Sequence, residues 1–365
     1  MKVSVLFGTR PETIKMSPFI IEGTNRRHEV EVLFTGQHRQ MARPILDFFN
    51  IRTSVNLDIM RPNQNLVSMT SNMLSELNAR PELQETDALV VQGDTTSAYV
   101  GAYWAFLNRI PVIHLEAGLR THNIHSPFPE EANRQLISKI ASVHLAPTDK
   151  AMSELLREGT GPHNYMIGNT GLDALRLVSE KVGPEVLPQE VKSFIEGRPY
   201  ILITSHRREN FGDGMRQIAD ALKVLACEMP EVRFVFPVHM NPNVREVMMK
   251  ELSSLTNLLL TEPVDYLGFV ALMKNAKVIV TDSGGIQEEA PSLKVPVVVM
   301  RESTERPEGV EKGFSVLVGT DPKKIFKAVT ELYHTGLTGV GSNPYGDGFS
   351  SSRAWNILEK IGVSL

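Results

Sequence analysis

The chain has 365 residues, 42% of them hydrophobic and 22% charged, with a net charge of −4 and one cysteine, Cys227. That length exceeds a single ordinary core and predicts two domains, and the small, evenly spread charge excludes a basic track for a nucleic-acid backbone. A lone cysteine leaves no internal disulfide or thiolate metal cluster, and no apolar run approaches the roughly 20 residues that span a bilayer, so a soluble protein of the reducing cytoplasm is expected.

Short apolar runs recur along the chain, each followed by a polar or glycine turn and then a helical pattern. In the first half they fall at 3–7, 30–34, 88–91, 112–115 and 143–146; in the second half at 200–204, 233–238, 258–260, 278–280 and 295–300. Runs without strict alternation, separated by helix-length segments, read as parallel strands covered on both faces. The fold class is therefore α/β: two Rossmann-like, doubly wound domains, spanning 1–173 and 174–349. A helix expected at 174–182 stops at the Gly and Pro residues of 183–188, where the linker is placed. The last helix, at 350–365, follows a long loop and is expected to pack back on the first domain. In such sheets ligands bind beyond the carboxyl ends of the strands, so chemistry should be sought in the loops that follow them.

The first such loop is Gly8-Thr9-Arg10-Pro11-Glu12-Thr13-Ile14-Lys15. Pro11 suits an early helix position, and Arg10 and Lys15 bring to the helix start two cations suited to a phosphate. Gly-x-Gly-x-x-Gly is missing there, which argues against tight dinucleotide binding. The runs at 88–91 and 112–115 lead to Asp94 and Glu116, each a carboxylate at a strand's carboxyl end. Pro129-Glu130-Glu131 then opens a helix in which Arg134 stands one turn beyond Glu130. Gathered at one sheet edge, Asp94, Glu116 and Glu130 would crowd like charges and raise the pKa of one, as general acid and base work requires. Taken singly, each of these residues also admits a plainer reading as a helix cap or ion pair.

In the second half, the run at 200–204 leads to His206-Arg207-Arg208, where an imidazole and guanidinium groups can neutralise or protonate a departing phosphate oxygen. His239 stands in an equivalent position after the next run. The run at 278–280 leads into Ser283-Gly284-Gly285 and then a helix, a pattern in which free N–H groups, close backbone approach and the helix dipole favour an anion. Glu288 and Glu289 follow on that helix, within reach of sugar hydroxyls. Arg306, in a further charged loop, is a candidate for the nucleotide. Asp-x-Asp, His-Glu-x-x-His and an EF-hand loop are missing, so no metal is expected; cations and N–H groups would serve the diphosphate instead.

In this order the loops closely resemble those of the non-hydrolysing UDP-N-acetylglucosamine 2-epimerases. The matching stretches are Phe7-Gly-Thr-Arg-Pro-Glu12, Gly36-Gln-His-Arg39, Gly93-Asp-Thr-Thr96, His114-Leu-Glu-Ala-Gly-Leu-Arg120, Pro129-Glu-Glu-Ala-Asn-Arg134, His206-Arg-Arg-Glu209, Asp282-Ser-Gly-Gly-Ile-Gln-Glu-Glu-Ala-Pro291, Thr304-Glu-Arg-Pro-Glu308 and Asn343-Pro-Tyr-Gly-Asp347. The resemblance covers almost the whole chain. It implies a fold like that of the type-B glycosyltransferases, with a ligand cleft between the domains and UDP held mainly by the second. It implies that Ser283, Gly284 and Gly285 bind the diphosphate, Glu289 the ribose, Phe269 and Arg306 the nucleotide region, and Arg10, Lys15 and His206 the phosphates and sugar. The implied reaction is reversible inversion at C2 by elimination and re-addition of UDP, with Asp94 and Glu116 transferring the proton, Glu130 as their partner and His206 helping UDP leave. No cofactor is implied, a homodimer is expected, and the product would supply surface polysaccharide. The positions matching a regulatory substrate site are Gln37, His38, Gln40, Gln64, Glu130, Arg207 and His239, with Asn63 standing where some activated members have arginine. The competing reading is a type-B glycosyltransferase that uses the same nucleotide fold with a UDP-sugar donor.

Overall fold

Strand β1 (Lys2–Phe7) shows why the runs lack alternation: Val3, Val5 and Phe7 pack into one apolar cluster with Met16, Phe19 and Trp355, while Leu6 packs into another with Met69, Met73 and Trp104. Both faces of the strand are covered, so Leu6 is apolar like Val3, Val5 and Phe7, while Ser4 beside it is buried and donates to Glu31 Oε2 at 3.1 Å. The computed structural model describes residues 1–61, 64–339 and 341–362.

These residues divide into two units, the first Met1–Ala174 with Gly346–Leu365 and the second Leu175–Tyr345. In the first unit the further strands are β2 (Glu29–Phe34), β3 (Val55–Asn56), β4 (Ala88–Gln92), β5 (Val112–Leu115), β6 (Val143–Ala146) and β7 (Asn164–Met166). They form a sheet ordered β3-β2-β1-β4-β5-β6-β7, parallel throughout. The second unit holds β8 (Tyr200–Thr204), β9 (Arg233–Pro237), β10 (Leu258–Thr261), β11 (Val278–Thr281), β12 (Val297–Val299) and β13 (Ser315–Leu317). Its sheet is ordered β10-β9-β8-β11-β12-β13, again parallel. In both sheets the strand order reverses beside the first strand, at β1/β4 and at β8/β11, which opens a crevice at the carboxyl ends.

The Gly183–Pro188 stretch, expected as the linker, belongs to the second unit. Val182 and Leu187 on either side of its turn are buried, so the segment is anchored by apolar contacts. The helix preceding it runs Thr170–Ser179, starting earlier than the pattern at 174–182 implies. Strands β3, β7 and β13 also go beyond the apolar runs; each has two or three residues, too few for a pattern.

Helix Ser350–Ile361 is part of the first unit. Trp355 is fully buried, its ring stacked on Phe19 (4.8 Å) and His28 (4.6 Å), and its Nε1 donates to the Phe19 carbonyl at 2.8 Å. A Cβ on Gly23 would lie 2.2 Å from the indole, so the close approach requires glycine there. Asp173 accepts the first amides of the helix, Ser350 N at 3.1 Å and Ser351 N at 2.7 Å, placing a carboxylate at the positive end of the helix dipole. No helix among the described residues is long and apolar enough to cross a membrane.

Candidate active site

In the first unit the switch-point loops bring together Lys15, Asp94, Glu116 and Arg134. Glu116 immediately follows β5 with a φ of +60°, a left-handed backbone unfavourable for a side chain of this kind and held only where surrounding bonds enforce it. Those bonds are visible: Lys15 Nζ meets Glu116 Oε2 at 2.5 Å, and Gln92 Nε2, at the end of β4, donates to the same oxygen. Lys15, expected at a phosphate, is therefore engaged with the carboxylate. Asp94 Oδ2 receives Arg134 Nε at 2.7 Å, and Asn133 Nδ2 donates to the Asp94 carbonyl at 2.8 Å. Burial pushes the Asp94 pKa up; Arg134 opposes the rise and the charge of Glu116 adds to it. The crowding of like charges expected from the sequence is thus present for Asp94 and Glu116.

Glu130 and Glu131 play different parts. Glu130 is half-buried at the first position of helix Glu130–Ile140. Glu131 is fully buried and accepts from Thr121 N (3.0 Å), His122 N (3.2 Å), Gln135 Nε2 (3.0 Å) and Arg134 NH1 (3.0 Å). Despite the burial, these donors hold its pKa below the usual carboxylate range. Arg134 therefore links Glu131 to Asp94 rather than engaging Glu130.

Helix Arg10–Asn25 starts with a reciprocal cap: Thr9 N donates to Glu12 Oε2 at 2.8 Å, and Glu12 N donates to Thr9 Oγ1. Arg10 is exposed beside this cap. Its amide donates to His38 Nδ1 at 3.4 Å, while His38 N donates to the Gly8 carbonyl at 2.8 Å. Burial, and then Arg10, lowers the His38 pKa. Of the residues matched to a regulatory site, Gln37 and His38 adjoin this loop, Gln37 Oε1 accepting from Ser97 Oγ at 3.2 Å. Gln40 is exposed on helix Arg39–Phe48, and Gln64 accepts from Arg61 N at 3.0 Å. Asn63 lies outside the described residues.

In the second unit, Asp282 organises the ends of β8 and β11. Fully buried, its carboxylate accepts from Ser205 Oγ (2.8 Å), His206 N (3.0 Å), Arg207 N (3.0 Å) and Asn210 Nδ2 (3.1 Å), with His206 Nδ1 at 3.4 Å. The His206 ring faces that of His239 with centroids 5.7 Å apart. Burial lowers the His206 pKa against the pull of Asp282, and His239 and Arg207 lower it further.

Ser283 precedes helix Gly284–Glu289. Among the described residues nothing accepts from the amides of Gly284, Gly285 and Ile286, as at any helix start without a ligand. Arg306 lies over this turn: a Cβ on Gly284 would be 2.8 Å from its Cζ. Arg306 Nε donates to Glu288 Oε1 at 2.8 Å, so Glu288 orients the cation while Glu289 follows half-buried. Tyr345 Oη donates to the Arg306 carbonyl at 2.9 Å and accepts from Gly309 N at 2.8 Å; Asn343 Nδ2 donates to the Glu288 carbonyl at 2.7 Å. Phe269 is half-buried on helix Tyr266–Asn275.

Sequence reasoning left out Gln92, Glu131 and Asp282 as site-organising residues, although each is a polar residue at a strand end or helix start. Among the described residues no group of three or more His, Cys, Asp or Glu side chains is placed to hold a metal ion.

The family model for UDP-N-acetylglucosamine 2-epimerase matches residues 22–359. The UDP-N-acetylglucosamine 2-epimerase of Yersinia pestis is 45% identical over 379 residues, covering all of both chains. The crystal structure of UDP-GlcNAc 2-epimerase from Neisseria meningitidis bound to UDP-GlcNAc matches with a TM-score of 0.81 at 42% identity, covering 99% of this chain and 100% of that one. The enzyme of Methanocaldococcus jannaschii in complex with UDP-GlcNAc and UDP matches with a TM-score of 0.74 at 34% identity, with the same coverage. Family model, full-length identity and fold agree, and the chain belongs to the UDP-N-acetylglucosamine 2-epimerase family of isomerases.

Proposed function

We propose that this protein interconverts UDP-N-acetylglucosamine and UDP-N-acetylmannosamine. The observation that carries the proposal is the pairing of Asp94 with Glu116 on adjacent strand ends, each carboxylate with its own cation and the two charges interacting.

The C2 proton of the sugar has no neighbouring carbonyl to acidify it, and the chain carries no nicotinamide fingerprint to make one. Elimination avoids the difficulty. A carboxylate takes the C2 proton, the C1–O bond breaks with its electron pair leaving on UDP, and a 2-acetamidoglucal forms. A proton is then delivered to C2 from the other face as the UDP oxygen re-adds at C1. Proton donors and acceptors on both faces and firm retention of UDP are the two requirements. Asp94 and Glu116, with Glu130 as partner, meet the first. Ser283, Gly284, Gly285, Arg10, Arg306 and His206 meet the second, with Glu289 at the ribose and Phe269 at the nucleotide. Lys15, which the resemblance sets at the phosphates and sugar, pairs with Glu116 and balances its negative charge. His206, fixed by Asp282, offers a ring able to share a proton with the leaving phosphate.

The resemblance further supports a regulatory UDP-sugar site using Gln37, His38, Gln40, Gln64, Arg207 and His239, a cytoplasmic location and a role in supplying surface polysaccharide. The resemblance likewise supports a homodimer. The test of the reaction is proton NMR of UDP-N-acetylglucosamine with the protein in deuterated buffer and no acceptor. Deuterium entering C2 as the epimer forms is the expected result; an unlabelled, unchanged sugar nucleotide would refute it.

A further inference from the structure

The Asp94–Glu116 pair sits on two separate strands, so something must set the distance and orientation of one acid relative to the other. Three bonds cross from one strand end to the other. Gln92 donates to the Glu116 carboxylate, Gly93 N donates to the Leu115 carbonyl at 2.9 Å, and His114 Nε2 donates to the Gly93 carbonyl at 2.8 Å. Gly93 has a φ of +68°, a left-handed turn that leads straight into Asp94. Its amide and its carbonyl are both held by β5, the strand that leads into Glu116.

We propose that His114 is a positioning residue for the reaction: its Nε2–H fastens the Gly93 carbonyl and thereby fixes Asp94 against Glu116. This rests on the epimerase reading above and adds to it a residue that meets no substrate. The chemistry of the ring supports the assignment. His114 is fully buried, and its Nδ1 has no hydrogen-bond partner among the described residues. With Nε2 committed as donor to a carbonyl, Nδ1 carries the lone pair and the ring is neutral. Burial lowers its pKa to about 3; the Gly93 carbonyl opposes that, and His144, Arg120 and Arg134 add to it. Near neutral pH the ring is neutral and its single proton is held on the Gly93 carbonyl, so its bearing on catalysis is geometric. Its neighbour in register, His144, is likewise buried and donates through Nε2 to the Ser138 carbonyl at 3.1 Å, so a buried ring tying a carbonyl recurs on β6.

Two substitutions separate the donor's position from polarity and size. The Nε2 of glutamine can reach where the ring's Nε2 stands, whereas the Nδ2 of asparagine stops near the ring's Nδ1. For His114→Asn, kcat and C2 deuterium exchange should fall together by about 10- to 100-fold, the loss expected from a misplacement of about 1 Å, with KM and UDP affinity changed less than about threefold. His114→Gln should restore most of that loss at the same melting temperature as the asparagine variant. Full activity in His114→Asn, or equal losses in both variants, would overturn the proposal. Should both variants fail to fold, nitrogen-15 NMR of the wild-type histidines decides. A His114 ring that stays the Nε2–H tautomer from about pH 5 to 8, with that proton protected from exchange, supports it, and a titrating or Nδ1–H ring overturns it. A wild type that never exchanges C2 would defeat the epimerase reading instead, while the ring's tautomer still reports on the latch.

Discussion

Replacing Arg134 by glutamine should move one limb of the pH–rate profile, the one set by Asp94, to higher pH. Arg134 is 15% exposed and Asp94 23%, with Arg134 NH2 at 2.6 Å from Oδ2, so the pair is partly shielded from water. Unit charges about 4 Å apart attract by about 4 kcal/mol at an effective dielectric near 20; residual screening and the amide left in place reduce the difference to about 1.5–3 kcal/mol. That corresponds to about 1–2 pH units. The sign follows from the pair: Arg134 opposes the rise that burial imposes on Asp94, so its removal sends the Asp94 pKa higher still. If Asp94 serves as base the acid limb moves up, and if it serves as acid the alkaline limb does; neither case moves a limb down. The assay is kcat and kcat/KM for epimerisation from about pH 5 to 10, with melting temperatures measured across the same range. Glu131 keeps its Thr121, His122 and Gln135 donors, so the fold should survive. A uniform loss of rate with both limbs unmoved, or a shift to lower pH, would refute the reasoning.

Stability should fall in mild acid through His114. Its folded pKa is about 3 against about 6.5 unfolded, so its contribution is complete above 6.5 and is lost as pH falls toward 3, at about 1.4 kcal/mol per pH unit. Urea melts near pH 7 and 5.5 should show wild type losing about 1 kcal/mol more than His114→Gln, and equal losses would count against a neutral buried ring. Gly284→Ala would place a Cβ 2.8 Å from Arg306 Cζ, displacing the guanidinium from Glu288. UDP affinity, read by calorimetry, should drop about tenfold or more, the worth of one charge-assisted contact. Trp355→Ala should destabilise the first unit by about 3–5 kcal/mol, measured by denaturant unfolding, because a buried stacked indole and its hydrogen bond are lost.

The sheets were legible because a doubly covered parallel strand leaves a continuous apolar run, as at 88–91 and 278–280, and a topology rule then directs attention to the loops that follow. The charged residues of those loops were legible one by one, and their partners were not. Nothing local says that Arg134, besides Glu131 on its own helix, turns to Asp94, or that Lys15 lies on Glu116, because those two pairings depend on which strands become neighbours. Asp282 stands in the sequence only as the first residue of a matched stretch; its part in holding the His206 loop appears once β8 and β11 lie side by side. The Gly183–Pro188 stretch carries the marks of a linker, and the helix before it ends at Ser179, but buried Val182 and Leu187 hold the stretch within the second unit. Strands as short as β3 and β13 carry no period to read.

In the proposed reaction UDP leaves and returns through cleavage of the C1–O bond. Oxygen-18 placed in the bridge between C1 and the β-phosphorus tests it most directly, followed by phosphorus NMR of the recovered UDP-N-acetylglucosamine. Migration of the label into the non-bridging β-phosphate positions, at a rate comparable with epimerisation, is the expected result. Epimer formed with the label still wholly in the bridge would contradict the account.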